Sequence, residues 1–279
     1  MHPIIVAIDF SNISIHAVEY AIPVANKLKS DIVLVWVDKI SPQESLYADT
    51  SNAHRNEAKR RFEELLHLFH RKLSKGIKME YKLRKGKVYH EVDNLARQLN
   101  AALIVTGAHG ISGFEEFWIG SNAYKIVTYA SCPIITVRHD FEIGKGISRI
   151  LVPIDGSAET LQKMPFTMNL ARLFKSEVHV VTTHSSNLKS IQRIAEKYAQ
   201  QAINYLKSNN ITCIQDSIIA VDLTKAVLSY AVNVKADLIS IMTEQETPRN
   251  ILLGPQAQQM INHSPIPVLS LHPEEHFSL

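Results

Sequence analysis

The sequence predicts an α/β protein made of two copies of one open, parallel-sheet domain. Three observations predict it. Short continuous runs of Ile, Val and Leu alternate with amphipathic helical stretches, the pattern of strands covered on both faces. The opening Ile4-Ile-Val-Ala-Ile-Asp9-Phe-Ser11 returns as Ile150-Leu-Val-Pro-Ile-Asp155-Gly-Ser157. The closing Ser131-Cys-Pro-Ile-Ile-Thr-Val137 is likewise echoed by Pro265-Ile-Pro-Val-Leu-Ser-Leu271. The offset between copies falls from 146 residues at Asp9 and Asp155 to 134 at Gly120 and Gly254, so the second copy is shorter in its middle. Two domain-sized copies make a tandem duplication rather than a solenoid. The domains are expected at 1–140 and 147–279, joined by Asp140-Phe-Glu-Ile-Gly-Lys-Gly146 with its two glycines and mixed charge.

In the first copy, strands are expected near 3–9, 31–37, 77–84, 102–106 and 133–138, and helices near 14–28, 51–75, 88–99 and 120–130. The long second helix carries Phe62, Leu65, Leu66, Phe69 and Leu73, an apolar stripe at helical spacing. In the second copy a helix is expected over 158–174 and a strand over 177–182. Parallel sheets of this kind bind ligands beyond the carboxyl ends of their strands, where strand order reverses. Asp9, closing the first strand, and Gly107, closing the fourth, would meet there.

Bulk properties narrow the function. A net charge of +3, with Lys59-Arg60-Arg61 as an isolated basic trio, argues against nucleic acid as an obligatory partner. Two cysteines, Cys132 and Cys213, form neither a disulfide framework nor a metal pair, which suits a reducing cytoplasm. The N-terminus lacks the pattern of a signal peptide, and no apolar stretch reaches the length of a membrane span. A cytoplasmic protein is expected.

The most informative segment lies between the fourth strand and the last helix of the first copy: Gly107-Ala-His-Gly110, nine residues, then Gly120-Ser121. Glycines at such a junction let backbone N–H groups approach an anion at the positive end of a helix. Ser121 adds a hydroxyl, and the simplest ligand is a phosphate chain. The second copy has lost these features. It reads Met242-Thr-Glu-Gln245 at the first pair of glycines and Gly254-Pro255 at the second, and Pro255 removes one N–H donor.

With the Asp-ending first strand, the G-x2-G-x9-G-S loop and the Cys-Pro-Ile-Ile-Thr-Val strand in order, the chain resembles the universal stress protein family over nearly its whole length. The resemblance implies two five-stranded parallel domains of the Rossmann-like, adenine nucleotide alpha hydrolase-like type, strand order 3-2-1-4-5. It implies ATP in the first domain, with AMP or ADP as alternative residents and Mg²⁺ as a companion. Carried over by residue, Asp9 would lie beside the ribose or base and Val37 against the adenine. Gly107, His109, Gly110, Gly120, Ser121 and Asn122 would surround the phosphates, with Ala7 and Thr106 lining the site. Against these stand simpler roles: tight turns for the glycines, loop orientation for His109, and helix capping for Asp9, Ser11 or Asn12.

The expected function is that of an ATP-binding regulatory module of the stress response, with one nucleotide site. The second domain would act as an intramolecular pseudo-dimer partner, with a homodimer and an unidentified protein partner also open. The alternatives are a slow ATPase or phosphotransferase using His109 or a loop carboxylate, and a nucleotide-free interaction scaffold. No catalytic residue is assigned. Glu63, His67 and His70 share a helix face but read as a solvated stripe rather than a metal site. Cys132 reads as an inert core thiol.

Overall fold

The computed structural model describes residues 2–38, 48–108, 120–144, 146–185, 189–243 and 253–273. The chain forms two compact α/β units, the first closing at His139 and the second opening at Asp140.

The first unit alternates strictly: β1 (Ile4–Ala7), α1 (Asn12–Leu28), β2 (Ile32–Asp38), α2 (Ala48–Phe69), β3 (Met79–Lys85), α3 (Val88–Leu99), β4 (Leu103–Ala108), α4 (Ser121–Tyr129) and β5 (Ile134–Arg138). Its strands lie in the order β3-β2-β1-β4-β5 and every pairing is parallel. Ile4, Ile5 and Val6 of the central strand are wholly buried, as a strand covered by helices on both faces requires. The edge strand β3 carries Glu80, Lys82, Arg84 and Lys85, charges that guard an unpaired edge. Strand order reverses at β1. The crevice at its carboxyl end therefore opens between the β1–α1 turn and the start of α4.

The second unit repeats the plan: β6 (Arg149–Ile154), α5 (Met164–Phe174), β7 (Glu177–His184), α6 (Lys189–Ser208), β8 (Cys213–Ile219), α7 (Leu223–Asn233), β9 (Leu238–Met242), α8 (Pro255–His263) and β10 (Val268–Leu271). Its order is β10-β9-β6-β7-β8, again parallel throughout.

Three elements depart from expectation. The first helix begins at Asn12 rather than 14, because Ser11 caps it in extended conformation and accepts a bond from the Ser14 N–H. The long helix stops at Phe69 and tightens into a 3-10 turn over His70–Lys72, so Leu73 falls outside it. The stretch expected as one helix over 158–174 breaks into a 3-10 turn, Ala158–Leu161, and a helix that starts at Met164. Pro165 lies in the first turn of that helix, where its missing N–H costs nothing.

Candidate functional site

The site grows from the turn after β1. Asp9 Oδ1 accepts bonds from the Ser11 N–H (3.0 Å) and the Ser11 hydroxyl (2.6 Å). That bond orients the hydroxyl so that its oxygen accepts from the Ser14 N–H at 3.2 Å, satisfying one open donor of α1. Ser14 Oγ donates back to the Ser11 carbonyl (3.0 Å) and accepts from the Asp9 N–H (3.3 Å). Between them Phe10 sits at φ +64, a left-handed conformation unusual for an aromatic residue. Its ring is held edge-on against Phe62 at 4.8 Å, with the Arg61 guanidinium 4.6 Å from the ring centroid. The burial of Phe10 offsets the backbone strain and pins the turn to α2.

The opposing wall comes from β4 and α4. At Gly107 an added Cβ would lie 2.4 Å from Ile13 Cγ2 and 3.0 Å from the Ile13 carbonyl oxygen. Glycine is thus required at 107 by the close approach of α1, a packing reason distinct from ligand access. Gly120 stands at the N-cap of α4 with no side-chain bond to the helix, and the first turn holds no acidic residue. The N–H groups at the positive end of α4 are therefore not capped by the Gly120 position and face no negative charge of the helix itself.

These walls enclose a cavity of about 590 Å³, which Ala7, Asp9, Val37, Thr106, Gly107, Gly120, Ser121 and Asn122 all line. Eight of the ten residues expected from sequence are thus brought to one place. His109 and Gly110, with the loop carboxylates Glu115 and Glu116, lie outside the described residues. The cavity also takes in Ser11, expected from sequence only as a helix cap, and residues that the sequence did not mark: Ser14 of the cap, Asp38 beyond Val37, Val88 at the start of α3, and His54 from α2. No local signal marks Asp38 or His54, which reach the cavity through strand register and helix packing.

The second unit supplies an internal comparison. Its Asp155 Oδ1 accepts from the Ser157 N–H (2.9 Å) and hydroxyl (2.5 Å), and the Asp155 N–H donates to Thr160 Oγ1 (3.3 Å). The Asp-x-Ser turn is therefore a folding device of this domain type, kept where the glycines are gone. Met242 takes the register position of Gly107: the two pair with Leu271 and Val137 at corresponding points of the neighbouring strands. A side chain there is incompatible with the close approach that α1 makes, and the matching helix start is displaced into the 3-10 turn. Pro255 opens α8 and removes a donor from its N-terminus. Beneath the turn Lys163 is buried and donates to Thr160 Oγ1 at 3.1 Å, where the first unit has Ala17. Burial lowers its pKa to about 8, against the attraction of Asp155.

Among the described residues, no three His, Cys, Asp or Glu side chains are grouped to hold a metal ion. His67 and His70 are exposed, with the His70 ring at 2.9 Å from the His67 carbonyl. Cys132 is buried. Among the described residues no helix is long and apolar enough to cross a membrane.

A doubly wound parallel domain written twice in one chain, with a crevice at the switch point of the first copy, defines the class. The universal stress protein family model matches residues 1–138 and again 146–272, and the chain belongs to that family as a tandem two-domain member. It is 29% identical over 147 residues to universal stress protein YxiE of Bacillus subtilis, covering 48% of this chain and 97% of that protein. A universal stress protein of Methanocaldococcus jannaschii is 28% identical over 137 residues, 48% of this chain and 81% of its own length. Over the whole chain, the crystal structure of a universal stress protein from Archaeoglobus fulgidus superposes with a TM-score of 0.80 at 18% identity, covering 97% of this chain and 98% of that one. A second, described as a putative universal stress protein from Pseudomonas aeruginosa, gives 0.66 at 15% identity, covering 98% and 94%. At these identities the structures speak to fold.

Proposed function

We propose that the first domain binds one adenine nucleotide per chain and that the protein works as a nucleotide-responsive regulatory module of the stress response. ATP is the leading ligand, with AMP or ADP as alternatives at the same site. The observation that carries this reading is the convergence of Asp9, Val37, Thr106, Gly107, Gly120, Ser121 and Asn122 on one cavity of about 590 Å³. Its size falls within the range of small-molecule sites. The N-terminus of α4, without an acidic first turn, would hold the phosphates. Val37 and Val88 would wall the base, and Asp9, already fixed by Ser11, would face the ribose. Mg²⁺, when bound, would neutralise phosphate charge. The second domain, with Met242 and Pro255 at the matching points, would carry no nucleotide and serve as a built-in partner for the first.

The test is a calorimetric titration of ATP, with and without Mg²⁺, into the wild type and Ser121→Glu. An acidic residue in the first turn suits the dipole of α4 and leaves the helix intact, but repels phosphate. Saturation near one ATP per chain, with affinity reduced at least tenfold in the variant at an unchanged melting temperature, is expected. No saturation of the folded wild type would overturn the reading.

A further inference from the structure

Helix α2 reaches the cavity by a route that its own packing dictates. Ala58, Phe62, Leu65 and Phe69 are buried at 2%, 0%, 7% and 1% exposure and lie on one face at helical spacing. That face seats α2 on β2 and β3. Its rotation is locked at Phe62, whose ring stacks on Tyr81 of β3 (centroids 4.7 Å, planes 2° apart) and meets Phe10 at 4.8 Å. One turn before Ala58, on the same face, stands His54. As the crossover from β2 to β3, α2 runs opposite to the strands, so its N-terminal end lies at their carboxyl ends. There the stripe has passed the end of the sheet, and His54 is exposed and lines the cavity beside Val35, Val37 and Asp38.

This placement separates two ends of the site. The N-terminus of α4 belongs to the β4 side of the switch point, where α4 packs against α3 and β4. His54 belongs to the β2 side, across β1. Asp9 and Asp38 also line the cavity, and the imidazole of His54 adds to it a group with both an N–H donor and an acceptor. We infer that His54 is a nucleoside-contacting residue of the first-domain site: its imidazole closes the β2 side of the cavity and hydrogen-bonds the base or ribose, not the phosphates. The inference rests on the nucleotide reading above and adds to it a residue and the part of the ligand it meets.

The experiment titrates ATP and AMP into the full chain and its His54→Ala variant. Because His54 is exposed, circular dichroism and the melting temperature stay at wild-type values. Should alanine lower the melting temperature, His54→Leu, a good helix former with neither donor nor acceptor, carries the comparison for the hydrogen bond. Loss of one hydrogen bond and one cavity wall weakens both ligands by the same factor, on the order of tenfold. Equal affinity in wild type and variant overturns the inference, as does a loss confined to ATP, which would put His54 at the outer phosphates. A wild type that binds neither ligand removes the nucleotide reading itself, an outcome distinct from a binding wild type that is indifferent to His54.

Discussion

Lys163 offers a sharp test of the structure, because a buried amine writes its environment into the pH dependence of folding. Lys163 is 2% exposed, its pKa falls from 10.5 to about 8, and its ammonium donates to Thr160 Oγ1. The cause is burial, which disfavours the charged form more than Asp155 restores it. Between pH 8 and 10.5 the unfolded chain holds a proton at this position that the folded chain has released, so this group makes stability rise with pH across that window. At 1.36 kcal/mol per unit the full effect is about 3 kcal/mol, of which about 2 kcal/mol falls between pH 7 and 9.5. The perturbation is Lys163→Met, similar in length and without charge. Urea unfolding followed by circular dichroism at pH 7, 8, 9 and 9.5 supplies the stabilities. Burial also raises the pKa of Cys213, which titrates in the same window with the opposite sign. The quantity to read is therefore the difference between wild type and variant at each pH. The variant is expected to hold its largest advantage at pH 7 and to lose about 2 kcal/mol of it by pH 9.5. Curves that stay parallel across the range would refute the buried, proton-poor Lys163.

Two further substitutions probe the walls of the cavity. Gly107→Ala places a Cβ 2.4 Å from Ile13 Cγ2 and 3.0 Å from the Ile13 carbonyl. Displacing α1 is expected to cost about 1–3 kcal/mol, read as a lowered urea midpoint with no ligand present. Ser11→Ala removes the hydroxyl that caps α1 and is expected to cost about 1 kcal/mol. Ser157→Ala, at the matching place but without a capping bond to its 3-10 turn, is expected to cost less. Equal costs in paired denaturation curves would contradict the capping geometry.

Much of this architecture was legible in the order of residues. Runs such as Ile4-Ile-Val6 and Leu103-Ile-Val105 announce strands buried on both faces, and Phe62, Leu65 and Phe69 announce the face of a helix. The glycines and Ser121 mark the start of α4, and Asp9 and Val37 mark the ends of strands, so eight residues that line one cavity are legible in the sequence. The reason for Gly107 was not legible: the atom that forbids a side chain there belongs to Ile13, far away in the chain. The role of Asp9 was legible only as alternatives. The structure gives one of its oxygens to Ser11 and leaves the capping of α1 to that serine.

Local chemistry and periodicity are properties of neighbouring residues, so the sequence by itself determined the alternation of strands and helices, the duplication and the loss of glycines in the second copy. Its residues also determine that the chain belongs to the universal stress protein family. What tertiary structure decided was everything that depends on distant segments meeting. The register of α2 on β2 and β3 carries His54 to the cavity. The ring of Phe62 holds Phe10 in a left-handed turn. Met242 in place of Gly107 goes with a broken helix start that Pro165 accommodates. Each follows from packing between side chains that lie next to one another only once the sheet has brought the ends of its strands together.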